Sequence, residues 1–238
     1  MKRWGHMAKT FTKIGKEITI AVKQGGPDVV GNSRLRALMA EARSENMPKD
    51  NVEKAIKRAL EKNQGDFKEV VFEGYGPHGI AYLVETATDN NTRTVANVRS
   101  YFTKCGGSLG TSGSVSFMFD HKCVFRIKYQ EGMDLDELLL ALCECDDDPE
   151  VFIEEQEDKD ENITKNVVIY GAYESYGAIQ KYIEDNGYEL VSGGFERIPN
   201  VELKDVTPEQ RETLDKLTGL LEDDDDVTNV YSTLKPAE

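Results

Sequence analysis

The hydrophobic period of this chain changes partway along, and that change constrains the fold more than any other feature. Up to residue 64 the apolar residues recur at helical spacing; from Gly79 they fall into short runs of strand formers separated by helical stretches. Such a chain folds as α+β with a helical segment set apart at its start. Phe11, Ile14, Ile18, Ala21 and Val22 make the first helical stripe, stopped by Gly25-Gly26-Pro27. Leu35, Leu38, Met39 and Ala42 make the second, in a helix over residues 33–45 that ends near Asn46. Pro48 opens a third helix whose stripe is Val52, Ala55, Ile56, Ala59 and Leu60, with Gly65 as its terminator. The expectation is a three-helix bundle within a helical domain of residues 1–72.

The run GIAYLVETAT reads as a strand, and Asp89-Asn90-Asn91 behind it as the cap of a helix over residues 93–104 that ends at Gly106-Gly107. VSFMF and CVFRIKY read as further strands, and a parallel return to the first strand gives a beta-alpha-beta unit. Residues 134–195 then run helix, strand, strand, helix, strand, enough for a second layer. After Pro199 the segments VELK, PEQRETLDKLTGLLE and DVTNVYS supply another strand, helix and strand, matching the half left open before. The pattern therefore predicts two ferredoxin-like alpha/beta domains, one inserted into the other: an outer domain of residues 73–131 and 199–238, and an acidic inserted domain of residues 132–198.

Charge divides the chain in the same place. Residues 1–64 hold 14 Lys and Arg against 7 Asp and Glu, a surplus of seven, whereas the other 15 basic and 37 acidic residues leave a deficit of 22, giving the formal net charge of -15. On a helical wheel the first helix gathers Lys9, Lys13, Lys16 and Lys23 between about 120° and 200° from Phe11, and the third places Lys54, Lys57 and Arg58 between about 140° and 240° from Val52. With Arg34, Arg36 and Arg43 from the middle helix and Lys49 at the start of the third, this is the electrostatic footprint of phosphate-backbone binding. The acidic remainder repels phosphate and confines binding to the bundle. The acidic runs at residues 146–148 and 223–226 read as solvated loops and helix ends, and neither has the ligand spacing of an EF-hand loop.

Motifs for chemistry are sparse. CGGSLGTSGSVSF, residues 105–117, is glycine-rich enough to approach a phosphate, or is simply a connection, but it lacks the Lys-Ser or Lys-Thr of a P-loop and leaves a helix instead of opening one. His78 sits in the turn sequence EGYGPHGI without a nucleophile and base beside it, and His6 and His121 have no better company. Cys105, Cys123, Cys143 and Cys145 show no paired C-x-x-C spacing, so neither a zinc site nor a disulfide framework is expected. No apolar run is long enough to span a bilayer, and no signal peptide is read at the start. The expectations are a cytoplasmic protein that is not an enzyme and that uses no metal or cofactor.

RLRALMAEARSENMPKDNVEKAIKRA and EGYGPHGIAYLVETATDNNTRTVANVRSYFTKCGGSLGTSGSVSFMF together resemble the YebC/PmpR family of probable transcriptional regulators, to which a mitochondrial translational activator is similar. The resemblance implies a three-helix N-terminal domain followed by two alpha/beta domains, and a DNA-binding transcriptional regulator. Some family members instead resemble ribosome-associated factors that carry translation through difficult sequences such as proline runs, so ribosomal RNA is the alternative partner. The resemblance also marks two signature loops, Met47-Pro48-Lys49-Asp50-Asn51 and Gly110-Thr111-Ser112-Gly113.

Overall fold

The structure, a computed structural model, describes residues 2–61, 66–157 and 163–237. Its elements in chain order are α1 (Lys2–Gly25), α2 (Ser33–Ser44), α3 (Lys49–Leu60), β1 (Lys68–Tyr75), β2 (Ala81–Thr88), α4 (Asn91–Lys104), β3 (Ser108–Leu109) and β4 (Phe119–Lys128), then α5 (Leu135–Leu142), β5 (Glu150–Glu157), β6 (Ile163–Ala172), α6 (Tyr176–Asp185), β7 (Leu190–Pro199), α7 (Pro208–Glu222) and β8 (Val227–Ser232). They build two four-stranded antiparallel sheets with strand orders β3-β1-β2-β8 and β5-β6-β4-β7. Strands β4 to β7 fall between β3 and β8 in sequence, so one alpha/beta layer is inserted into the other, as the sequence pattern implies. Two compact units result: Met1–Ile20, Glu61–Asp120 and Arg197–Glu238 form the first, and Ala21–Leu60 and His121–Glu196 the second.

In the first unit β2 is buried on both faces, because Ala81, Tyr82, Leu83 and Val84 are all almost fully covered. One face packs against α4 and α7 through Phe72, Tyr82, Val84, Val98, Phe102, Leu214, Leu217 and Leu221. Each large side chain sealed this way contributes about 1.5–3 kcal/mol. Ala81 and Leu83 meet Val115 and Phe119 in a smaller cluster on the other face. The helices start where the sequence says they should. Asn90 caps α4 by accepting from Arg93 N at 3.1 Å, and Thr207 and Gln210 form a reciprocal capping box at α7.

Several strand expectations need correction. β1 begins at Lys68, inside the stretch read as helical domain, and pairs antiparallel with β2 from Lys68↔Thr88 to Tyr75↔Ala81. The expected parallel return is absent from the described residues: β1 pairs antiparallel with β3, and β2 antiparallel with β8. CVFRIK, residues 123–128, lies within β4, which pairs with β6 in the second sheet. VSFMF is largely a 3-10 turn over Ser116–Met118, because the amides of Val115 and Ser116 are spent on a carboxylate and cannot enter a ladder. VELK contributes only an isolated parallel bridge, Lys204↔Leu234.

In the second unit α5 and α6 cover one face of the sheet, burying Phe125, Ile127, Leu138, Leu142, Val167, Ile169, Ile179 and Ile183. Asn32 joins the turn to the helix that follows it. Its Oδ1 accepts from Leu35 N at 3.0 Å as the cap of α2, while its Nδ2 donates to Ala21 O and Gly26 O, carbonyls at the end of α1. Beyond the expected Leu35, Leu38 and Ala42, helix α2 also buries Ala37 and Ala40. Gly193 permits one such close approach, since a Cβ there would lie 2.8 Å from the Phe125 ring and 3.2 Å from Ala37 Cβ. Helix α3 is the opposite case: Ala55 alone of its expected stripe is buried, and Leu60 is 59% exposed. Its expected terminator, Gly65, lies outside the described residues.

Candidate nucleic-acid interface

Lys9, Lys13 and Lys16 on the basic face of α1 are engaged within the first unit. Helix α7 has no basic residue in its last turn, so its C-terminal carbonyls and the acidic run behind it lack a local cation. Lys9 pairs with Asp223, Lys13 Nζ donates to Glu222 O at 3.4 Å, and Lys16 Nζ donates to Asp225 O and Asp226 Oδ1, both at 2.7 Å, and to Ala87 O at 3.1 Å. Burial is the main reason the Lys13 ammonium is held below its ordinary pKa. Asp226 is 5% exposed and also accepts from Arg93 Nη2 at 2.6 Å, Thr94 Oγ1 at 2.9 Å and Thr88 Oγ1 at 3.2 Å. Burial would raise its carboxyl pKa, but the bonds from Lys16, Arg93 and Thr94 outweigh that and bring it down to about 2. Asp224 accepts from Asn97 Nδ2 and Tyr101 Oη. Within the run at residues 223–226, Asp224 and Asp226 are therefore bonded parts of a junction, while Asp223 and Asp225 stay exposed as the sequence reading of a solvated helix end expects. In the run at residues 146–148 Asp146 alone departs from the solvated loop, being buried and accepting from Ala172 N and Asp148 N, whereas Asp147 and Asp148 are exposed.

The arginines of α2 divide. Arg36 grips Glu184 through Nε at 2.8 Å and Nη2 at 3.1 Å, and its Nη1 donates to the carbonyls of Val29 and Val30, so it is engaged inside the second unit. Arg34 donates to Gln24 Oε1 at 3.2 Å. Arg43 is exposed and donates from Nε to the carbonyl of Met39 on its own helix at 3.1 Å.

Helix α3 keeps its cations outward. Asn46, at φ 58°, ends α2 in the left-handed conformation, and Met47 N reaches back to Ala42 O at 2.8 Å while its side chain is buried. Pro48 O then accepts from Asn51 N at 2.9 Å, which starts α3. This pins the Met47-Pro48-Lys49-Asp50-Asn51 loop and aims the helix: Lys49, Lys54 and Lys57 are exposed, and no ion pair to them occurs among the described residues. Asp50 is exposed in the first turn and Arg58 is half-buried.

The glycine-rich loop already holds an anion of the protein's own. Glu73, on β1 and 5% exposed, accepts from Gly113 N at 2.7 Å on Oε1 and from Val115 N at 2.7 Å and Ser116 N at 2.8 Å on Oε2. Burial pushes its pKa up, but the three amides outweigh this and hold the carboxyl below its ordinary value. Gly110 N donates to Glu73 O at 2.7 Å, and a Cβ at Gly110 would come 2.5 Å from Ser114 Oγ. The loop tip at residues 110–113, with Thr111 and Ser112, stands exposed above this anchor. Glu73, Arg93 and Asp226 are residues that sequence reasoning missed. Each is an ordinary charged residue in a strand, cap or acidic run, and only the three-dimensional pairing distinguishes it. His78 is exposed, with φ 64°, in the turn Pro77–Gly79. Among the described residues no group of three or more His, Cys, Asp and Glu could hold a metal ion, and no helix is long and apolar enough to cross a membrane.

Two family descriptions match almost the whole length: "TACO1/YebC protein N-terminal domain" over residues 1–62 and "TACO1/YebC second and third domain" over residues 67–234. A protein of Bacteroides thetaiotaomicron named "Probable transcriptional regulatory protein" is 57% identical over 238 residues, 100% of this chain and 93% of that one. One of the same name from Parabacteroides distasonis is 59% identical over 234 residues, covering 98% and 92%. The crystal structure of a conserved hypothetical protein from Aquifex aeolicus superposes with a TM-score of 0.78 at 33% identity, covering 97% of this chain and 91% of that one.

Proposed function

Given that the chain belongs to the TACO1/YebC family, we propose that it is a non-enzymatic regulator of gene expression that grips a nucleic-acid backbone through α3. One observation carries this reading: Lys49, Lys54 and Lys57 stand exposed on one short helix without ion pairs among the described residues, whereas Lys9, Lys13, Lys16 and Arg36 are spent inside their own units. Arg43 on α2 adds a further exposed cation. The interface is thus narrower than the full basic face of the three helices. The relatives named as probable transcriptional regulatory proteins favour DNA as the polyanion and transcription as the process. The four cysteines carry free thiols, which fits a reducing cytoplasm.

A second reading rests on the same helix. Its exposed cations are lysines, point charges suited to phosphate, and not the arginine, asparagine or glutamine that reads base edges. This favours weak sequence preference on duplex DNA and is equally compatible with ribosomal RNA in a translation factor. Replacing Lys49, Lys54 and Lys57 together by Glu should abolish binding with the circular dichroism spectrum unchanged. Each single Glu variant should lower the log-log salt slope on B-DNA by about 0.9. Unchanged affinity in a folded triple variant overturns the α3 interface. Cosedimentation with ribosomes that the triple variant loses, beside weak duplex binding, selects the translation reading.

A further inference from the structure

Phe117 leaves 66% of its surface exposed although the backbone around it is fixed from every side. Ser116 N is held by Glu73, Met118 N donates to Val115 O at 2.9 Å, and Asn200 donates from N to Met118 O at 2.9 Å and from Nδ2 to Phe117 O at 3.3 Å. The segment after Asn200 therefore runs beside the loop. It carries two more exposed apolar side chains, Val201 at 41% and Leu203 at 37%, which line a groove with Tyr75 and Met118. Three exposed carboxylates stand around these residues: Asp120, which accepts from Asn200 Nδ2 at 2.8 Å, and Glu202 and Asp205 on the groove itself. Lys204, also on the groove, turns its ammonium to Gly79 O at 2.8 Å.

We propose that Phe117, Val201 and Leu203 form a preorganised docking surface for a protein partner segment that alternates apolar side chains with Lys or Arg. An aromatic ring held on a rigid backbone loses little conformational freedom when it is covered, which makes it an effective anchor at an interface. The Glu73 carboxylate beneath the loop supplies that rigidity: three amides that would otherwise need water are satisfied from inside, and the ring is presented in one place. Charge decides the kind of partner. Asp120, Glu202 and Asp205 repel a phosphate backbone and attract a cationic rim, so this surface is separate in kind from the lysines of α3 and does not depend on their role.

The test uses the full chain and two fluorescein-labelled probes at about 150 mM salt, where exposed charges are screened beyond about 8 Å: an extended peptide of alternating leucine and lysine, and its leucine and glutamate counterpart. Fluorescence anisotropy should show saturable binding of the lysine peptide and none of the glutamate peptide. The double variant Phe117→Ser with Val201→Ser should weaken binding at least tenfold, and Glu202→Lys with Asp205→Lys should weaken it comparably, with thermal melts confirming that both fold. The proposal is overturned if the lysine peptide does not bind, if the glutamate peptide binds as well, or if the serine variant binds unchanged, which would mark the attraction as general to an acidic chain. Self-association that Phe117→Ser abolishes would assign the surface to a second copy of this chain and would also overturn it.

Discussion

Replacing Asp226 by asparagine tests the junction that binds α1 to the end of α7. The asparagine keeps the shape but removes the charge that Lys16 and Arg93 share, and Lys16, 11% exposed, would be left with carbonyls and the Phe67 ring but no carboxylate oxygen of Asp226. The carboxyl pKa falls from 3.8 to about 2 on folding, and at about 1.4 kcal/mol per unit that shift is worth at most about 2.5 kcal/mol. Arg93 is 49% exposed, so water screens part of the interaction, and a loss of about 1.5–2.5 kcal/mol is expected. The sign follows from a depressed folded pKa. The contribution is complete above 3.8 and disappears as pH falls toward about 2, so roughly half is gone by about pH 3. Hydrogen exchange at the β2 amides follows the first unit alone: the variant should exchange faster than wild type by that free energy at about pH 7, with the gap roughly halved at about pH 3. A difference under about 0.5 kcal/mol at neutral pH, or a gap that does not change with pH, refutes the account of the junction.

Glu73→Gln should leave the fold intact at a cost of about 1–3 kcal/mol, since an amide has one acceptor oxygen for three donors, and should accelerate hydrogen exchange at Gly113, Val115 and Ser116; protection equal to wild type would show that the loop does not need the carboxylate. Glu41 is half-buried and its pKa is raised to about 7, first by burial and then by Glu45, against the pull of Arg126. Its contribution is therefore favourable below the ordinary value of 4.5 and lost as pH rises through about 7, so Glu41→Gln should stabilise the second unit by about 1–3 kcal/mol at about pH 8 and do little near about pH 4, read by urea melts. Lys9→Ala with Lys13→Ala should lower stability by about 1 kcal/mol or less and leave nucleic-acid affinity nearly unchanged, because both lysines already have partners; a large loss of binding in filter assays would return α1 to the interface.

Helices were legible because their start and stop chemistry is local. Asn90, Thr207 and the pair Gly25-Gly26 act within a few residues of themselves. Strand partners were not, since nothing local distinguishes CVFRIKY pairing with β2 from its actual pairing with β6, and the short β3 carries too little pattern to announce itself. β1 hid behind alternation that is only half apolar: Glu73 points inward because loop amides wait for it. For the basic face the wheel placed the lysines of α1 correctly on one side. It could not see that residues 223–226 lie opposite them, because that proximity is set by the return of the chain through α7.

Lys16 and Asp226 are 210 residues apart, which gives the junction a place in time as well as in space. At about 5–20 residues per second of synthesis, roughly 10–40 seconds pass between the appearance of the helix and that of the carboxylate it needs. Through that interval α1 leaves the ribosome with the carboxylate of Asp226 still to come, and the first sheet lacks its edge strand β8, whereas by residue 199 every strand of the second sheet has been made. The second unit is thus free to mature before the first can close. A chain that terminates before residue 223 would keep a well-formed insert beside a helix still bearing bare lysines.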